Sequence, residues 1–177
     1  MWKLYSLSPT FDFRQTITMH TASVKELKDE LAHYPSKDLV AVILRLAKFK
    51  KENKELLTYL LFETQDEEAF IKGVKLEMDE LFTQINTRNY YYIKKSVRKI
   101  LRQVKKRIRY SGKKETEVEL LLYFCRKLKA MDPPMARSRV LRNIYERQLS
   151  FIRGRIGKLH EDLQYDFERE LERHFGP

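Results

Sequence analysis

Helix-breaking residues are scarce in this chain, and this scarcity limits the fold more than any other feature. Only five glycines and five prolines occur among 177 residues. Sheet proteins and dinucleotide-binding folds use glycine freely in tight turns and phosphate loops. From Ser23 onward, apolar residues recur every three or four positions, which is the spacing of one helix face. The sequence therefore predicts an all-α protein of six or seven antiparallel helices, arranged as αα-hairpins in a bundle or a short HEAT- or TPR-like stack.

Local signals predict where the helices begin and end. Pro35 disfavours helix in the residue before it, and Ser36 is suited to cap the second helix. Asp66 is suited to begin the fourth helix, because acidic groups stabilise the positive end of the helix dipole. Gly112 predicts the end of the fifth helix, and Pro133 predicts the end of the sixth.

Three regions follow from these patterns. Residues 1–22 lack helical periodicity and are predicted to form a poorly ordered N-terminal arm. Residues 23–132 are predicted to form a helical domain. Residues 135–177 are predicted to form a C-terminal helical segment that either packs on this domain or forms a dimer.

The C-terminal segment carries apolar residues at heptad-like intervals of four and three. These candidate oligomerisation residues are Tyr145, Leu149, Ile152, Ile156, Leu159 and Leu163. One helix over residues 137–175 would be roughly 57 Å long, whereas a compact chain of this length has a radius of gyration of about 16 Å. We therefore expect the helix to break, at Gly154 or Gly157, or to project and bind a partner. Packing on the chain's own bundle and formation of a homodimer remain the two alternatives.

The stretch RNYYYIKKSVRKILRQVKKRIRY, residues 88–110, contains ten lysines and arginines and no acidic residue. On a helical wheel its isoleucine, leucine and valine residues occupy one sector of about 100°. Eight cations occupy about 140° on the other side, and Arg107 lies off that sector. We call these eight candidate anion- or partner-binding residues the basic face: Lys94, Lys95, Arg98, Lys99, Arg102, Lys105, Lys106 and Arg109.

Several environments suit such a face. It could bind phosphates of RNA or DNA, an anionic membrane surface or an acidic protein, or it could be solvated or covered by acidic helices. A membrane is disfavoured, because the apolar side of this helix has no Phe or Trp and is needed in the core. Residues 66–80 and 159–177 each carry a net charge of −4, and residues 137–158 carry +6. The acidic segments could therefore cover the basic face, or the two basic segments could form one surface.

Three consecutive tyrosines lie at the start of the same stretch. Tyr90, Tyr91 and Tyr92 point in directions about 100° apart, so at most one or two of them share the basic face. We therefore predict helix-start packing for them, and not a base-stacking platform of the kind seen in single-strand-binding proteins.

No set of catalytic or metal-binding residues stands out. The histidines lack Glu-x-x-His spacing, and no zinc, phosphate-loop or nucleophile-elbow motif occurs. We therefore predict no enzyme activity, no metal and no cofactor. No apolar run reaches the ~18–20 residues of a membrane span. The single cysteine, Cys125, lies in an apolar run and has no partner for an internal disulfide, which predicts a core position and a cytoplasmic protein.

The stretch LKDELAHYPSKDLVAVILRLAKFKKENKELLTYLL, with the later VRKILRQVKKRIRY, resembles a group of small uncharacterised bacterial helical proteins. The resemblance covers about residues 25–130 and implies a helical fold for them. That group has no assigned activity, so the resemblance implies nothing about function.

These observations predict a non-catalytic helical module for protein interaction or scaffolding, with a protein as its partner. The alternative is binding of RNA, or of DNA without sequence specificity, through the basic face. No recognition-helix pattern with base-reading residues stands out, so contacts to the nucleic-acid backbone are the expected mode.

Overall fold

The structure, a computed structural model, describes residues 21–176. These residues form eight α-helices, one π-helical segment and one 3₁₀ turn, with no strand among them. The α-helices are α1 (Val24–Leu31), α2 (Ser36–Phe49), α3 (Lys51–Thr58), α4 (Glu67–Thr83), α5 (Tyr90–Ser111), α6 (Lys114–Lys129), α7 (Arg139–Ile156) and α8 (Glu161–Phe175). The π segment is Tyr59–Glu63, and the 3₁₀ turn is Met135–Arg137. The predicted all-α class is thus confirmed within this range, with slightly more helices than predicted.

Capping groups account for several of the helix ends. At α1, Ser23 Oγ accepts a hydrogen bond from Glu26 N at 3.3 Å, and Ser23 N donates to Glu26 Oε2 at 2.7 Å, which forms a capping box. Asp66 caps α4 as predicted, since its Oδ1 accepts from Ala69 N at 2.9 Å. Gly112 ends α5 with a φ of +68°, a left-handed conformation that glycine adopts without a steric penalty.

The predicted cap of α2 is wrong by one residue. Ser36 is the first helical residue rather than the cap. The first intrahelical bonds go instead to Pro35 O, from Asp38 N at 2.9 Å and from Leu39 N at 3.0 Å. Residue type alone did not show which carbonyl begins the hydrogen-bond ladder.

The C-terminal segment breaks at Gly157, one of the two predicted positions. α7 ends at Ile156, and Gly157 N donates to Arg153 O at 3.4 Å before α8 begins at Glu161. Gly154 remains inside α7. Two shorter helices, α7 and α8, replace the single helix of roughly 57 Å that residues 137–175 would otherwise form. This break accounts for the additional helix.

The contacts divide the described residues into two compact units, with the boundary between Arg45 and Leu46, inside α2. Residues 1–20 of the predicted N-terminal arm lie outside the described range. The predicted division into 1–22, 23–132 and 135–177 stays a prediction.

In the second unit, α6 is the central helix and packs against α4, α5, α7 and α8. Its buried residues are Thr116, Val118, Leu120, Leu121, Leu122, Phe124, Cys125 and Leu128. A helix surrounded on most sides needs apolar residues around most of its circumference, which explains the run LLLYFC at 120–125. The helices packed on α6 each bury one side and leave the other exposed.

Candidate functional site

Helix α5 has a fixed start, a fixed end and one buried side. Asn89 Oδ1 accepts hydrogen bonds from Tyr91 N at 2.9 Å and from Tyr92 N at 3.2 Å, which satisfies two free amides of the first turn. The side chains buried in the core are Ile93, Val97, Ile100, Val104, Ile108 and Tyr110. The apolar residues at this helical spacing therefore determine which side of α5 is turned outward.

The basic face lies on the outward side. Six of its residues are exposed: Lys95, Arg98, Lys99, Arg102, Lys105 and Arg109. Lys94 is half-buried and lines an open groove of about 470 Å³ together with Lys95, Arg98, Lys99 and Arg102. Tyr91 lines the same groove and is 64 % exposed. Side chains of one helix face thus form a continuous cationic surface with one aromatic ring at its N-terminal end.

Among residues 21–176, Lys106 is the basic-face residue that forms an ion pair with another helix. Its Nζ lies 2.7 Å from Glu55 Oε2 on α3, and Tyr110 OH donates to the same oxygen at 2.8 Å. Arg107, which the wheel placed off the face, pairs with Glu77 Oε2 on α4 at 3.0 Å. Burial disfavours the charged form of Glu55, but the hydrogen bonds from Lys106 and Tyr110 outweigh it and lower the Glu55 pKa. Lys106 is therefore neutralised within the protein.

Several acidic residues of α4 and α6 pair with cations outside the basic face. Their ion pairs are Glu67–Lys113 at 3.0 Å, Glu119–Lys75 at 2.6 Å, Asp79–Lys127 at 3.0 Å and Glu117–Arg155 at 2.7 Å. In residues 21–176, no carboxylate lies within 4.0 Å of a cationic nitrogen of the other seven basic-face residues. Residues 1–20 contain a single acidic residue, Asp12. The acidic segments 66–80 and 159–176 thus leave these seven cations without an ion-pair partner.

The second basic segment meets α5 at Phe151. Lys105 Nζ lies 5.7 Å from the centre of the Phe151 ring, and Arg155 Cζ of the same helix as Phe151 lies 5.0 Å from it. Both distances are within the range of a cation–π contact. Phe151 therefore joins α5 to α7, but the α7 cation at this contact, Arg155, is already paired with Glu117 at 2.7 Å.

The predicted oligomerisation residues lie in the core of the second unit. Leu149, Ile152, Ile156 and Leu159 are buried, and Tyr145 and Leu163 are partly buried against the same core. The seam is thus occupied by the chain's own helices, which was the first of the two alternatives. A dimer formed through these residues would require that core to open.

Residues 21–176 contain no metal-site cluster and no membrane-spanning helix. No three His, Cys, Asp or Glu side chains of this range come together as a metal site would require. None of its helices combines the length and apolar character of a membrane span. Cys125 is fully buried as predicted, and burial raises the pKa of its thiol to about 12. Its side chain fills space in the core, and it is not activated as a nucleophile.

Sequence reasoning missed the role of Tyr91, although the signal was present. Tyr91, Lys95, Arg98 and Arg102 follow one another at intervals of four, three and four, which places them on one stripe of a helix. The three adjacent tyrosines point in different directions, so the triplet alone does not show which of them lies beside the cations. Phe151 and Glu55 carried no such signal, because their contacts with α5 are made by distant parts of the chain.

No family model, curated protein or solved structure matches this chain. The resemblance of residues 25–130 to small bacterial helical proteins stays a prediction. The basic face is therefore the main feature of this protein that bears on its function.

Proposed function

We propose that this chain is a non-catalytic helical binding module whose basic face binds the phosphate backbone of nucleic acid. The supporting observation is the row of seven cations on α5 that has no carboxylate partner among the described residues. Like charges four residues apart repel one another by some tenths of a kcal/mol per pair. Binding to a polyanion would relieve this repulsion and release counterions, which is the main driving force for contacts to phosphate.

The dimensions of the basic face suit this ligand. From Lys94 to Arg109 the helix rises ~22 Å. One strand of a duplex places a phosphate about every 3.4 Å along its axis, so roughly six or seven phosphates span this length. The number matches the seven cations, and it sets the salt dependence that binding should show. In this proposal the helices form a bundle or a short HEAT- or TPR-like stack of αα-hairpins that holds α5 at the surface.

Salt titration of oligonucleotide binding tests the proposal. Contacts to six or seven phosphates predict that the affinity falls by about 10³-fold or more between roughly 50 and 200 mM salt. Replacing Arg98, Arg102 and Lys105 with glutamine should reduce the affinity and lower the slope of log affinity against log salt by about two to three. No detectable binding at low salt would refute the proposal.

The control for this experiment removes the same charge from another surface. Lys72, Arg169 and Arg173 are exposed on α4 and α8, and glutamine at all three positions also lowers the net charge by three. Because total charge changes equally in both triple variants, only a local interface distinguishes them. Equal losses of affinity in the two variants would show a non-specific charge effect and contradict the assignment to α5.

Protein interaction through α1 and α2 is the second candidate, with a second copy of this chain as the partner. No residue in 21–45 is buried, although the segment is rich in large apolar side chains. Those that are exposed are Val24, Leu27, Leu31, Tyr34, Val40, Ile43 and Leu44. α1 carries one more acid than bases, whereas α2 carries two more bases than acids. Two-fold pairing that sets α1 of one copy against α2 of the other would cover the apolar residues and bring opposite charges together.

Light scattering over a range of protein concentrations tests this second candidate. Self-association that is lost when Leu27 and Ile43 are both replaced with lysine would support it. The matched control is Leu76→Lys, which changes a leucine that is 57 % exposed on α4. A wild-type chain that is monomeric at every concentration would refute the second-copy partner.

A further inference from the structure

We infer, on the basis of the proposed function, that the ligand of the basic face is single-stranded nucleic acid and that Tyr91 stacks on one of its bases. Bases in a duplex are stacked on each other, so their flat faces are not accessible to a side chain. An unpaired strand offers those faces, and proteins that bind single strands combine a basic groove with exposed aromatic rings. The basic face has both parts.

The position of Tyr91 supports this assignment. Tyr91 is 64 % exposed and lines the same groove as Lys94, Lys95, Arg98, Lys99 and Arg102. The Tyr92 ring packs against it edge to face, with centroids 5.4 Å apart and planes at 79°. This contact restricts the ring while Tyr91 stays largely exposed, so less rotational freedom is lost when a base stacks on it.

Two other aromatic rings near the basic face, Tyr90 and Phe151, are already engaged, and Tyr92 is less exposed than Tyr91, at 44 %. Tyr90 OH donates to Pro134 O at 2.8 Å, which commits this side chain to the packing at the start of α5. Phe151 is contacted by the cations of Lys105 and Arg155. Tyr91 is therefore the ring to which we assign base stacking.

The basic face also lacks side chains that read base edges through paired donor and acceptor atoms. Asn89 uses its side-chain oxygen to cap α5. Gln103 has a buried Oε1, and Ser96 is half-buried. Amides of Asn and Gln are the usual readers of adenine in the major groove, and the basic face itself contains neither residue. The basic face can instead place cations against phosphates and one aromatic ring against a base. Such contacts tolerate many nucleotide sequences.

Fluorescence anisotropy with two ligands tests the inference at low salt. The ligands are a labelled oligouridine strand, which has no stable pairing, and a mixed-sequence RNA duplex of the same length. Tyr91→Ala should weaken binding to oligouridine by about five- to 150-fold, the range for loss of one base–aromatic stack. Tyr91→Phe keeps the ring and should change this binding by less than about twofold. Binding of the duplex should be the same for all three proteins.

The matched control is Tyr165→Ala on the acidic helix α8. Tyr165 is 62 % exposed and has the guanidinium of Arg169 5.6 Å from its ring centre, so it resembles Tyr91 in exposure and in its cationic neighbour. This variant should bind both ligands as the wild type does. Tyr91→Leu removes the aromatic ring but keeps a large side chain with high helix propensity. If Tyr91→Ala does not fold, the affinity of Tyr91→Leu for oligouridine is measured in its place.

The outcomes separate this inference from the function on which it rests. If neither ligand binds the wild-type protein, the proposed function is refuted and the inference with it. If both ligands bind but Tyr91→Ala and Tyr91→Leu bind oligouridine as the wild type does, single-strand stacking is wrong and backbone binding stands. An equal loss of affinity for oligouridine and for the duplex in Tyr91→Ala would also overturn the stacking inference, since stacking on Tyr91 requires an unpaired base.

Discussion

Replacement of Glu67 with glutamine tests how the second unit is held together. Glu67 lies in the first turn of α4 and is 17 % exposed. Its Oε1 accepts hydrogen bonds from Ser111 Oγ at 2.5 Å and from Thr116 Oγ1 at 2.6 Å. Its Oε2 accepts from Tyr59 OH at 2.7 Å and lies 3.0 Å from Lys113 Nζ. One carboxylate thus joins α4 to the π segment, the end of α5 and the start of α6.

The pKa of Glu67 indicates the magnitude of this contribution. Burial disfavours its charged form, but hydrogen bonds from Ser111, Thr116 and Tyr59 outweigh burial and lower the pKa from 4.5 to about 2. This difference corresponds to folding free energy on the order of 3 kcal/mol. Because the pKa is lower in the folded state, the stabilisation is fully present above the unfolded-state pKa of 4.5 and is lost as the pH falls towards about 2.

At neutral pH, Glu67→Gln should lower the free energy of unfolding by about 2–3 kcal/mol. Glutamine keeps the length of the side chain but has one acceptor oxygen where the carboxylate has two. Urea unfolding followed by circular dichroism measures the loss, at about pH 7 and at steps down to about pH 3. The difference between wild type and variant should shrink over this range, because the wild-type carboxylate loses its advantage in acid.

Glu68→Gln is the matched control. Glu68 lies in the same turn as Glu67, and its replacement with glutamine removes the same charge. Glu68 is exposed and makes no ion pair or side-chain hydrogen bond among the described residues. Its effect on the unfolding free energy should stay within about 0.5 kcal/mol, the size of a surface interaction with the helix dipole. Equal losses for the two variants, or a difference that does not change with pH, would refute the assigned role of Glu67.

Three further predictions concern the core and the helix ends. Cys125 should not react with a thiol reagent in the folded protein but should react fully in urea, because it is buried with a pKa of about 12; rapid native-state labelling would contradict its position. In thermal melts, Gly154→Ala should stabilise the protein by about 0.5–1 kcal/mol, since open space surrounds this position inside α7. Gly112→Ala should destabilise it by about 1 kcal/mol, because the φ of Gly112 is +68°. The opposite order of stabilities would contradict both assignments. Ile152→Ala should lower the free energy of unfolding by about 2–5 kcal/mol without changing the mass measured by light scattering, and a change of mass at equal stability would favour a role in dimerisation.

Helix positions could be predicted because their causes are local. Asp66 caps α4 through an amide three residues away, and Gly112 ends α5 through its own backbone conformation. Gly157 interrupts the C-terminal segment at one of the two expected residues. Ser36 was misplaced because a serine beside a proline can stand at either of two adjacent positions, and the backbone geometry selects between them.

The two sides of α5 could also be predicted, because helical periodicity assigns each residue to a side. Ile93, Val97 and Ile100 are buried, and Arg98 and Arg102 are exposed, as the wheel required. Periodicity alone did not show whether the acidic segments cover the basic face, because acidic and basic residues distant in sequence meet only through the packing of helices.

Lys105 and Lys106 show where this limit lies. They are adjacent and chemically identical, and the wheel assigned both to the basic face. Lys106 Nζ meets Glu55, which is 51 residues away in the chain, while Lys105 remains exposed beside Phe151. The sequence by itself determined an all-α chain with one strongly basic helix, because propensity, capping and periodicity act over a few residues. Only the tertiary structure decided which of its cations are neutralised, because the ion pair of Lys106 with Glu55 is made between two helices.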